Sequence, residues 1–345
     1  FAKTVHPPAL PVTSLDTTRG FVVEGHDLVA IELTAHFSDI LGRPWGTSVD
    51  EITDRMRETK DVLGAVVPGG RISEELLNML SLDSMFSAGN ISRAIKKTKG
   101  GTAPGKDGYP PEFYKDPRLR KDLAQHLSGL FRECYDKRKM TENMRGSVVS
   151  ALYKGKDKPR IQKKSYRPIA VGATEYRILA KAIQLQVVEV LSKSGILSKS
   201  QVGFLKETAI EDSTMLLTEL MKYSDEPGRS ALVLLLDNES AFDKMQSGFL
   251  LQVLEAHGFP EEFVTLIRVM YTGLFAELKV NGHIGTRFDV SNGVRQGCPL
   301  SPLLFIIVQD VLLKMIEADE TTASALAASA AQTTKEPVPA FCAVR

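Results

Sequence analysis

The stretch ALVLLLDNESAFDKM, residues 231–245, places an aspartate directly after an unbroken apolar run. Residues 233–236 are apolar without alternation, which predicts a short strand buried on both faces. Asp237 would then lie at the carboxyl end of that strand, and residues 241–243 are expected to lead into a helix that Asp243 caps. A carboxylate held by a rigid strand suits Mg²⁺, which prefers hard oxygen ligands and serves two-metal phosphoryl transfer.

Two other interpretations of Asp237 begin from the same residues. Aspartate is a favoured helix N-cap, because its side chain accepts hydrogen bonds from free backbone N–H groups. The acidic residues Asp237, Glu239 and Asp243 also resemble the spacing of a calcium loop, but that loop requires glycine where Phe242 stands. The stretch alone excludes the calcium loop and leaves the cap and the metal ligand open, with the cap the more common of the two.

A second block, GVRQGCPLSPLLF at residues 293–305, determines how the first stretch is interpreted. Residues 234–245 resemble motif A of reverse transcriptases, in the form used by non-LTR, LINE-like retrotransposons, and residues 293–305 are similar to motif B. Residues 249–291, between the two motifs, also follow the family's pattern. The resemblance implies an α+β right-hand polymerase fold, with fingers and a partial palm around an antiparallel sheet flanked by helices.

The resemblance assigns roles to residues of both motifs. Asp237 matches the first catalytic, metal-binding carboxylate, and the backbone carbonyl of Asn238 is expected to be a further metal ligand. Phe242 matches the steric gate, whose ring leaves no room for a 2′-hydroxyl, and Gln296 and Gly297 are expected to pack against the dNTP. The implied cofactor is Mg²⁺, with two ions in the complete enzyme, and the implied partners are an RNA template, a DNA primer and dNTPs.

An upstream loop extends the resemblance. The segment KKTKGGTAPGKDGYPPEFYK, residues 96–115, has the glycine and proline density of a loop. It resembles the family's N-terminal block, with Lys106 in place of the usual proline. The resemblance implies that Lys106, Asp107 and Gly108 contact the template or primer. In isolation, a flexible basic linker would explain the segment equally simply.

The fingers are indicated by KSYRPIAVGATEYRILAKAI, residues 164–183, which resembles the fingers segment of reverse transcriptases. Arg167 matches the arginine expected to contact the incoming triphosphate, because a planar guanidinium suits phosphate oxygens. Lys154 is a further candidate for dNTP binding, although a plain surface cation is as good an interpretation.

Residues 200–217, SQVGFLKETAIEDSTMLL, resemble a template-contacting block of the same family. Gln201, Gly203 and Phe204 match that block and are expected to contact the template. Glu207 and Thr208 stand where glycine and arginine are usual, so one basic contact of the family's pattern is missing.

Composition sets broad limits. No apolar run is long enough to predict a membrane span, and no signal peptide is visible. Cys134, Cys298 and Cys342 have neither metal-site nor disulfide spacing, so a reducing compartment, nucleus or cytoplasm, is the simplest expectation. No P-loop or kinase signature is present, which argues against other phosphotransferases.

Charge is distributed unevenly along the chain. Residues 92–167 hold 21 Lys and Arg against 8 Asp and Glu, a net charge of +13, whereas the remainder has a net charge of −12. A concentrated basic segment is the pattern expected of a protein that binds a phosphate backbone. A lysine-rich solvated surface is the alternative interpretation.

Motif C, which carries the second catalytic carboxylates of the family, is not found. Residues 317–323, EADETTA, resemble it by letters, but Asp319 follows a predicted helix at residues 303–316 and no apolar strand precedes it. The chain also begins with Phe rather than Met. We therefore expect a fragment that is truncated before motif C and the thumb.

The predicted organisation has four parts: a helical N-terminal region at residues 1–87, fingers at 88–230, a partial palm at 231–316 and a low-complexity tail at 317–345. The predicted function is a reverse transcriptase fragment of a retrotransposon, inactive alone because motif C is absent. The alternatives are a non-catalytic nucleic-acid-binding remnant and a decayed retroelement product.

Overall fold

The computed structural model describes residues 11–17, 21–42, 49–67, 72–155, 157–206, 209–226, 234–236, 238, 240–318 and 342–344. The helices are α1 His26–Leu41, α2 Val49–Val66, α3 Glu74–Met79, α4 Leu82–Phe86, α5 Ala88–Lys97, α6 Pro111–Lys115, α7 Arg120–Asp136, α8 Glu142–Arg145, α9 Thr174–Ser194, α10 Ile210–Ser224, α11 Ser247–Ala256, α12 Glu261–Tyr271 and α13 Ser301–Ala318, with a 3₁₀ turn at Lys163–Ser165. The strands are β1 Ser14–Asp16, β2 Val22–Glu24, β3 Gly146–Tyr153, β4 Tyr166–Gly172, β5 Leu234–Leu236, β6 Leu274–Val280, β7 His283–Val290 and β8 Cys342–Val344.

The main sheet has four strands in the order β4-β3-β6-β7. β3 pairs with β4, and β6 with β7, as antiparallel hairpins, while β3 and β6 in the centre are parallel with Val149 opposite Leu278. The prediction of an antiparallel sheet is therefore wrong for its central pair. The physical reason is that helices α9 to α12 separate the two strands, and a long helical crossover returns the chain in the same direction.

The turn between β6 and β7 shows why the second hairpin forms. Asn281 and Gly282 both have positive φ, at 49° and 93°. Asparagine and glycine tolerate that region, and a two-residue turn of this kind matches the twist of the flanking strands. The side chain of Asn281 also exchanges two 3.0 Å hydrogen bonds with the backbone of Val12, which ties the N-terminal segment to the hairpin.

Motif A begins on a separate small sheet. The predicted strand at residues 233–236 is observed as β5 at Leu234–Leu236, and residue 233 lies outside the described residues. β5 pairs in parallel with β8, so that Leu234 stands opposite Cys342. The tail predicted as low-complexity from residue 317 thus contributes the end of α13 and a strand beside motif A.

Two hydrophobic clusters hold the described residues together. The smaller lies under the main sheet, where Val29, Leu33 and Phe37 of α1 recur every fourth residue and pack against Leu278 and Phe288. The larger joins helices α2 to α9 and α11 to α13. The larger cluster contains residues of both the predicted N-terminal region, 1–87, and the predicted fingers, 88–230. No helix of the described part of the chain is long and apolar enough to cross a membrane.

We predict that this larger cluster unfolds cooperatively and that Phe263 is essential to it. Phe263 is fully buried on α12 and stacks on Phe259 at 5.0 Å between ring centroids. Phe263→Ala is expected to lower the free energy of unfolding by about 3–5 kcal/mol, through lost burial and an unfilled cavity. Urea unfolding followed by circular dichroism measures this change.

The matched control is Phe21→Ala, because the Phe21 side chain is 69% exposed. It is expected to change the free energy of unfolding by less than about 0.5 kcal/mol. Equal effects of the two substitutions, or a wild-type chain without a cooperative transition, would contradict the packing described above.

Candidate functional site

The turn of motif A is only partly described. Asp237, the predicted carboxylate ligand, and Glu239 lie outside the described residues. Asn238 is exposed, and its side-chain Nδ2 lies 3.4 Å from Oε1 of Gln309 on α13. This contact places the motif A turn beside the helix that follows motif B.

The steric-gate candidate Phe242 sits in a turn rather than at a helix start. Ser240 has a positive φ of 56°, and its carbonyl accepts hydrogen bonds from the backbone N–H groups of Asp243 and Lys244. The half-buried ring of Phe242 stacks on Phe305 of α13, with centroids 4.9 Å apart and planes 16° from parallel. The expected lead into a helix at residues 241–243 is wrong, since α11 begins only at Ser247.

The turns of motifs A and B are joined through their backbones. The N–H of Gly293 donates to the carbonyl of Met245 at 2.7 Å, and the N–H of Val294 donates to the carbonyl of Phe242 at 2.8 Å. Gly293 has a φ of 82°, and a Cβ there would meet the carbonyl oxygens of Phe242 and Asp243 at 2.9 Å. Glycine is therefore required where the two turns touch.

Gln296 of motif B is held by motif A. Its Nε2 donates to Oδ1 of Asp243 at 2.6 Å. The expectation that Asp243 caps the next helix is wrong: α11 has Gln246 as N-cap without a side-chain bond, and the Asp243 carboxyl is used by Gln296 instead. Burial raises the pKa of this carboxyl, and the hydrogen bond from Gln296 offsets only part of that effect.

Gly297 brings motif B against the hairpin predicted as fingers. It has a φ of 96°, and a Cβ there would lie 3.4 Å from the carbonyl oxygen of Ala170 on β4. Arg167 precedes Ala170 on the same strand and has an exposed side chain that forms no ion pair with the described residues. A cavity of about 30 Å³ between Ala170, Asp243 and Gln296 has room for water only.

Arg295 is a site residue that the sequence reasoning missed. It is 8% exposed. Its Nη1 donates to the carbonyl of Met144 at 3.0 Å and its Nη2 to that of Arg145 at 2.6 Å, while the guanidinium lies 4.2 Å from the centre of the Tyr176 ring. Arg295 thereby fixes the motif B turn to the start of β3. Its position beside Gln296 in a recognised motif was the available signal.

The other predicted dNTP-binding residue, Lys154, lies directly after β3, where the connection to β4 begins. Its Nζ donates to the carbonyl of Lys164 at 2.7 Å, which closes the connection between the two strands. The structure therefore gives Lys154 a local contact within the hairpin, and its role toward a nucleotide stays a prediction.

The loop predicted to contact template or primer is anchored at two points. Lys106 forms an ion pair with Glu277 of β6 at 2.8 Å. Asp107 accepts hydrogen bonds from the N–H of Tyr109 at 3.1 Å and from Nδ2 of Asn143 at 2.6 Å, and Gly108 has a φ of 77°. The loop lines a cavity of about 420 Å³ with α8 and the β6–β7 hairpin, bordered by Lys106, Asp107, Glu142, Asn143, Gly146, Ser147, Phe275, Glu277 and Arg287.

The second predicted template block leaves one aromatic side chain exposed. Gln201 is engaged internally: its Oε1 accepts from the N–H of Gly203 at 3.1 Å, and its Nε2 donates to the carbonyl of Ile306 at 3.5 Å. Phe204 is 59% exposed and has a positive φ of 58°, which is unfavourable for a bulky residue. Such strain often occurs at functional sites, and the predicted contact of Phe204 with the template stays a prediction.

The described residues contain no group of three or more His, Cys, Asp or Glu side chains that could hold a metal ion. The donor set expected for Mg²⁺ depends on Asp237, which is not among them. The expectation that Asp237 and the carbonyl of Asn238 hold Mg²⁺ therefore stays a prediction.

We predict that ionisation of Asp243 destabilises the folded chain. Because its folded pKa is raised above the ordinary value of 3.8, stability is fully present below that value and falls as the pH rises through the folded pKa. Asp243→Asn keeps an acceptor for Gln296 and stays neutral. The free energy of unfolding of this variant, relative to wild type, should therefore increase from acidic to neutral pH.

The control for this pH dependence is Asp116→Asn. Asp116 is a partly exposed carboxyl whose pKa is lowered to about 2 by hydrogen bonds from Arg118. A lowered pKa predicts the opposite trend: the free energy of unfolding of this variant, relative to wild type, should decrease as the pH rises. Parallel trends for the two variants would refute the stated environment of Asp243.

Comparison with known proteins identifies the fold's family. Residues 154–327 match the family model described as reverse transcriptase (RNA-dependent DNA polymerase), which is half of the chain. The chain is 29% identical over 253 residues to the transposon TX1 uncharacterized 149 kDa protein of Xenopus laevis, covering 73% of this chain and 18% of that protein. It is 26% identical over 218 residues to the retrovirus-related Pol polyprotein from type-2 retrotransposable element R2DM of Drosophila melanogaster, covering 63% and 20%.

The chain thus spans about a fifth of the length of these relatives. A solved chain of a partial Cas6-RT-Cas1–Cas2 complex is 18% identical and covers 68% of this chain and 35% of that chain, but its TM-score of 0.37 is too low to compare folds. The chain belongs to the reverse transcriptase (RNA-dependent DNA polymerase) family, and its relatives confirm the resemblance to the non-LTR, LINE-like branch.

Proposed function

We propose that this chain supplies the fingers and the first half of the palm of a retrotransposon RNA-directed DNA polymerase. In this role it would bind an RNA template, a DNA primer and a dNTP. The observation that carries the proposal is the meeting of three segments far apart in the sequence: β4, the motif A turn and the motif B turn. Their contacts are the Gln296–Asp243 hydrogen bond and the approach of Gly297 to Ala170.

Arg167 is the proposed contact for the triphosphate. It lies on the strand that Gly297 approaches, and its guanidinium is exposed and free of any ion pair with the described residues. A planar guanidinium with five N–H donors binds phosphate oxygens in pairs. The cavity beside Ala170 has room for water only, so we propose that the dNTP lies along the open side of the turn rather than in this cavity.

Phe242 is the proposed selector of deoxynucleotides. Its ring is fixed from one side by the stack on Phe305, and only part of it is buried. A flat ring that cannot move away would collide with a 2′-hydroxyl, whereas it would tolerate a 2′-hydrogen. Gln296, held by Asp243, would support the same nucleotide from motif B.

Mg²⁺ would be the catalytic cofactor, with Asp237 and the carbonyl of Asn238 as its proposed ligands. When bound, it would neutralise charge that develops on the transferring phosphoryl group. Asp237 is one carboxylate, and this sequence has no second carboxylate block. We therefore propose that the chain does not extend a primer by itself.

A basic surface favours the second candidate function, a nucleic-acid-binding remnant without synthesis. Lys96, Lys97 and Lys99 are exposed at the carboxyl end of α5. Burial, and after it the charge of Lys97, lowers the pKa of the neighbouring Lys181. Lysines at a helix carboxyl end also stabilise the helix dipole, so binding must be tested directly.

The first test separates synthesis from binding. We expect the 345-residue chain to bind a primed RNA template but to give no Mg²⁺-dependent dNTP incorporation in a primer-extension assay, and Asp237→Ala to behave as wild type. Incorporation that Asp237→Ala abolishes would overturn the proposed inactivity while supporting the polymerase assignment. Absence of any binding to the primed RNA template would contradict both candidate functions.

The second test concerns the basic surface. Replacement of Lys96, Lys97 and Lys99 together by Gln should weaken binding to single-stranded RNA and reduce the slope of log K against log salt by up to about 2. The matched control replaces Arg55, Arg57 and Lys60 of α2 by Gln. These three side chains are exposed, so the control removes the same charge from a helix surface outside the basic segment. Equal slopes for the two triple variants would show that net charge, rather than this surface, determines binding.

A further inference from the structure

One face of α13 holds the segment that precedes the exposed Phe204. The backbone of Ile306 and the side chains of Asp310, Lys314 and Glu317 recur every three or four residues, so they lie along one side of the helix. We call these four residues the α13 ladder. Each of them forms a hydrogen bond with the segment at residues 196–201.

Asp310 is the centre of the ladder. Its side chain is completely buried. Its Oδ1 accepts from the N–H of Ser198 at 2.7 Å, and its Oδ2 lies 3.0 Å from Nζ of Lys314 and 3.2 Å from Nε2 of His257. Burial alone would raise the pKa of this carboxyl, but the hydrogen bonds from His257, Lys314 and Ser198 outweigh it and lower the pKa.

Lys314 and Glu317, two further residues of the α13 ladder, bind other positions of the segment at residues 196–201. Nζ of Lys314 donates to the carbonyl of Ile196 at 2.6 Å. Oε1 of Glu317 accepts from the hydroxyl of Ser198 and, at 2.9 Å, from that of Ser200. With the bonds of Gln201 to Ile306 and Gly203, both ends of the segment are fixed to the motif B helix.

Phe204 follows directly from this clamped segment. Its positive φ is unfavourable for a bulky residue, so this backbone geometry needs support from the residues before it. An exposed aromatic ring with a fixed backbone is the arrangement on which nucleic-acid bases stack. The ladder therefore links motif B to a single stacking surface.

We propose that Asp310, Lys314 and Glu317 are positioning residues that present Phe204 to a base of the nucleic-acid template. This inference rests on the proposed function. The polar face of α13 would thus do more than pack against its neighbours. It would hold the Phe204 ring at a fixed position relative to the motif B turn, which leads into the same helix.

A double-mutant cycle on the full chain tests the proposal. The probe is a fluorescent single-stranded RNA annealed to a DNA primer, and binding is measured at fixed salt. Phe204→Ala should weaken binding about 5- to 100-fold, the effect of one lost base–aromatic stack. Glu317→Ala should weaken binding several-fold, because the Ser198 and Ser200 hydroxyls lose their acceptor while the exposed end of α13 stays intact.

The decisive result is the combined variant. If Glu317 acts through Phe204, the double substitution should bind no more weakly than Phe204→Ala alone. If the loss of affinity in the double variant equals the product of the two single losses, the proposal is overturned. It is also overturned if Phe204→Ala weakens binding while Glu317→Ala binds with wild-type affinity. Glu262→Ala, at an exposed carboxylate on α12, is the matched control and should leave affinity unchanged.

Hydrogen exchange provides a readout that does not depend on RNA. In Glu317→Ala the amides of residues 196–206 should exchange at least about tenfold faster than in wild type, with the rest of the chain unchanged. Ser200→Ala, which removes one hydroxyl, should show the same change more weakly. Unaltered exchange in both variants would contradict the proposed role of the α13 ladder in fixing this segment. Failure of the wild-type chain to bind, or wild-type affinity in Phe204→Ala, would instead count against the proposed template contact.

Discussion

The arrangement of the site depends on one buried cation, Arg295. Taking a guanidinium out of water is costly unless its N–H groups are satisfied. Here two carbonyls at the end of α8 accept from it and the Tyr176 ring covers one of its faces, without a carboxylate from the described residues. Only a planar fork can make both bonds and the stack together, so a lysine would not replace it.

This constraint explains why the neighbouring contacts can form. Arg295 fixes the motif B turn to the first residues of β3, and the residues that follow, Gln296 and Gly297, then reach Asp243 and β4. The backbone bonds of Gly293 and Val294 hold the other side of the same turn to motif A. A turn held at three points has little freedom, which suits the nucleotide-selecting role proposed above for Phe242 and Gln296.

Local structure was predictable from the sequence where periodicity determines it. The helix predicted at residues 303–316 and the strand predicted at 233–236 correspond within two residues to α13 and β5, because their apolar spacing is local information. Asp243 was misassigned because its partner Gln296 is fifty-three residues away, and the cap is the more common local use of an aspartate. The parallel β3–β6 pair and the α13 ladder are likewise formed between segments whose pairing no short window of sequence contains.

The central parallel pair also has a consequence for how the chain reaches this state. β3 and β4 form a hairpin as soon as both are synthesised, but β6, the other neighbour of β3, emerges more than a hundred residues later. Until then β3 is an edge strand with unpaired backbone groups and apolar residues such as Val149, a surface open to association with other chains. Contacts between such distant segments also fold slowly. A nascent chain of this protein therefore passes through a period in which the β3 edge is exposed to other chains.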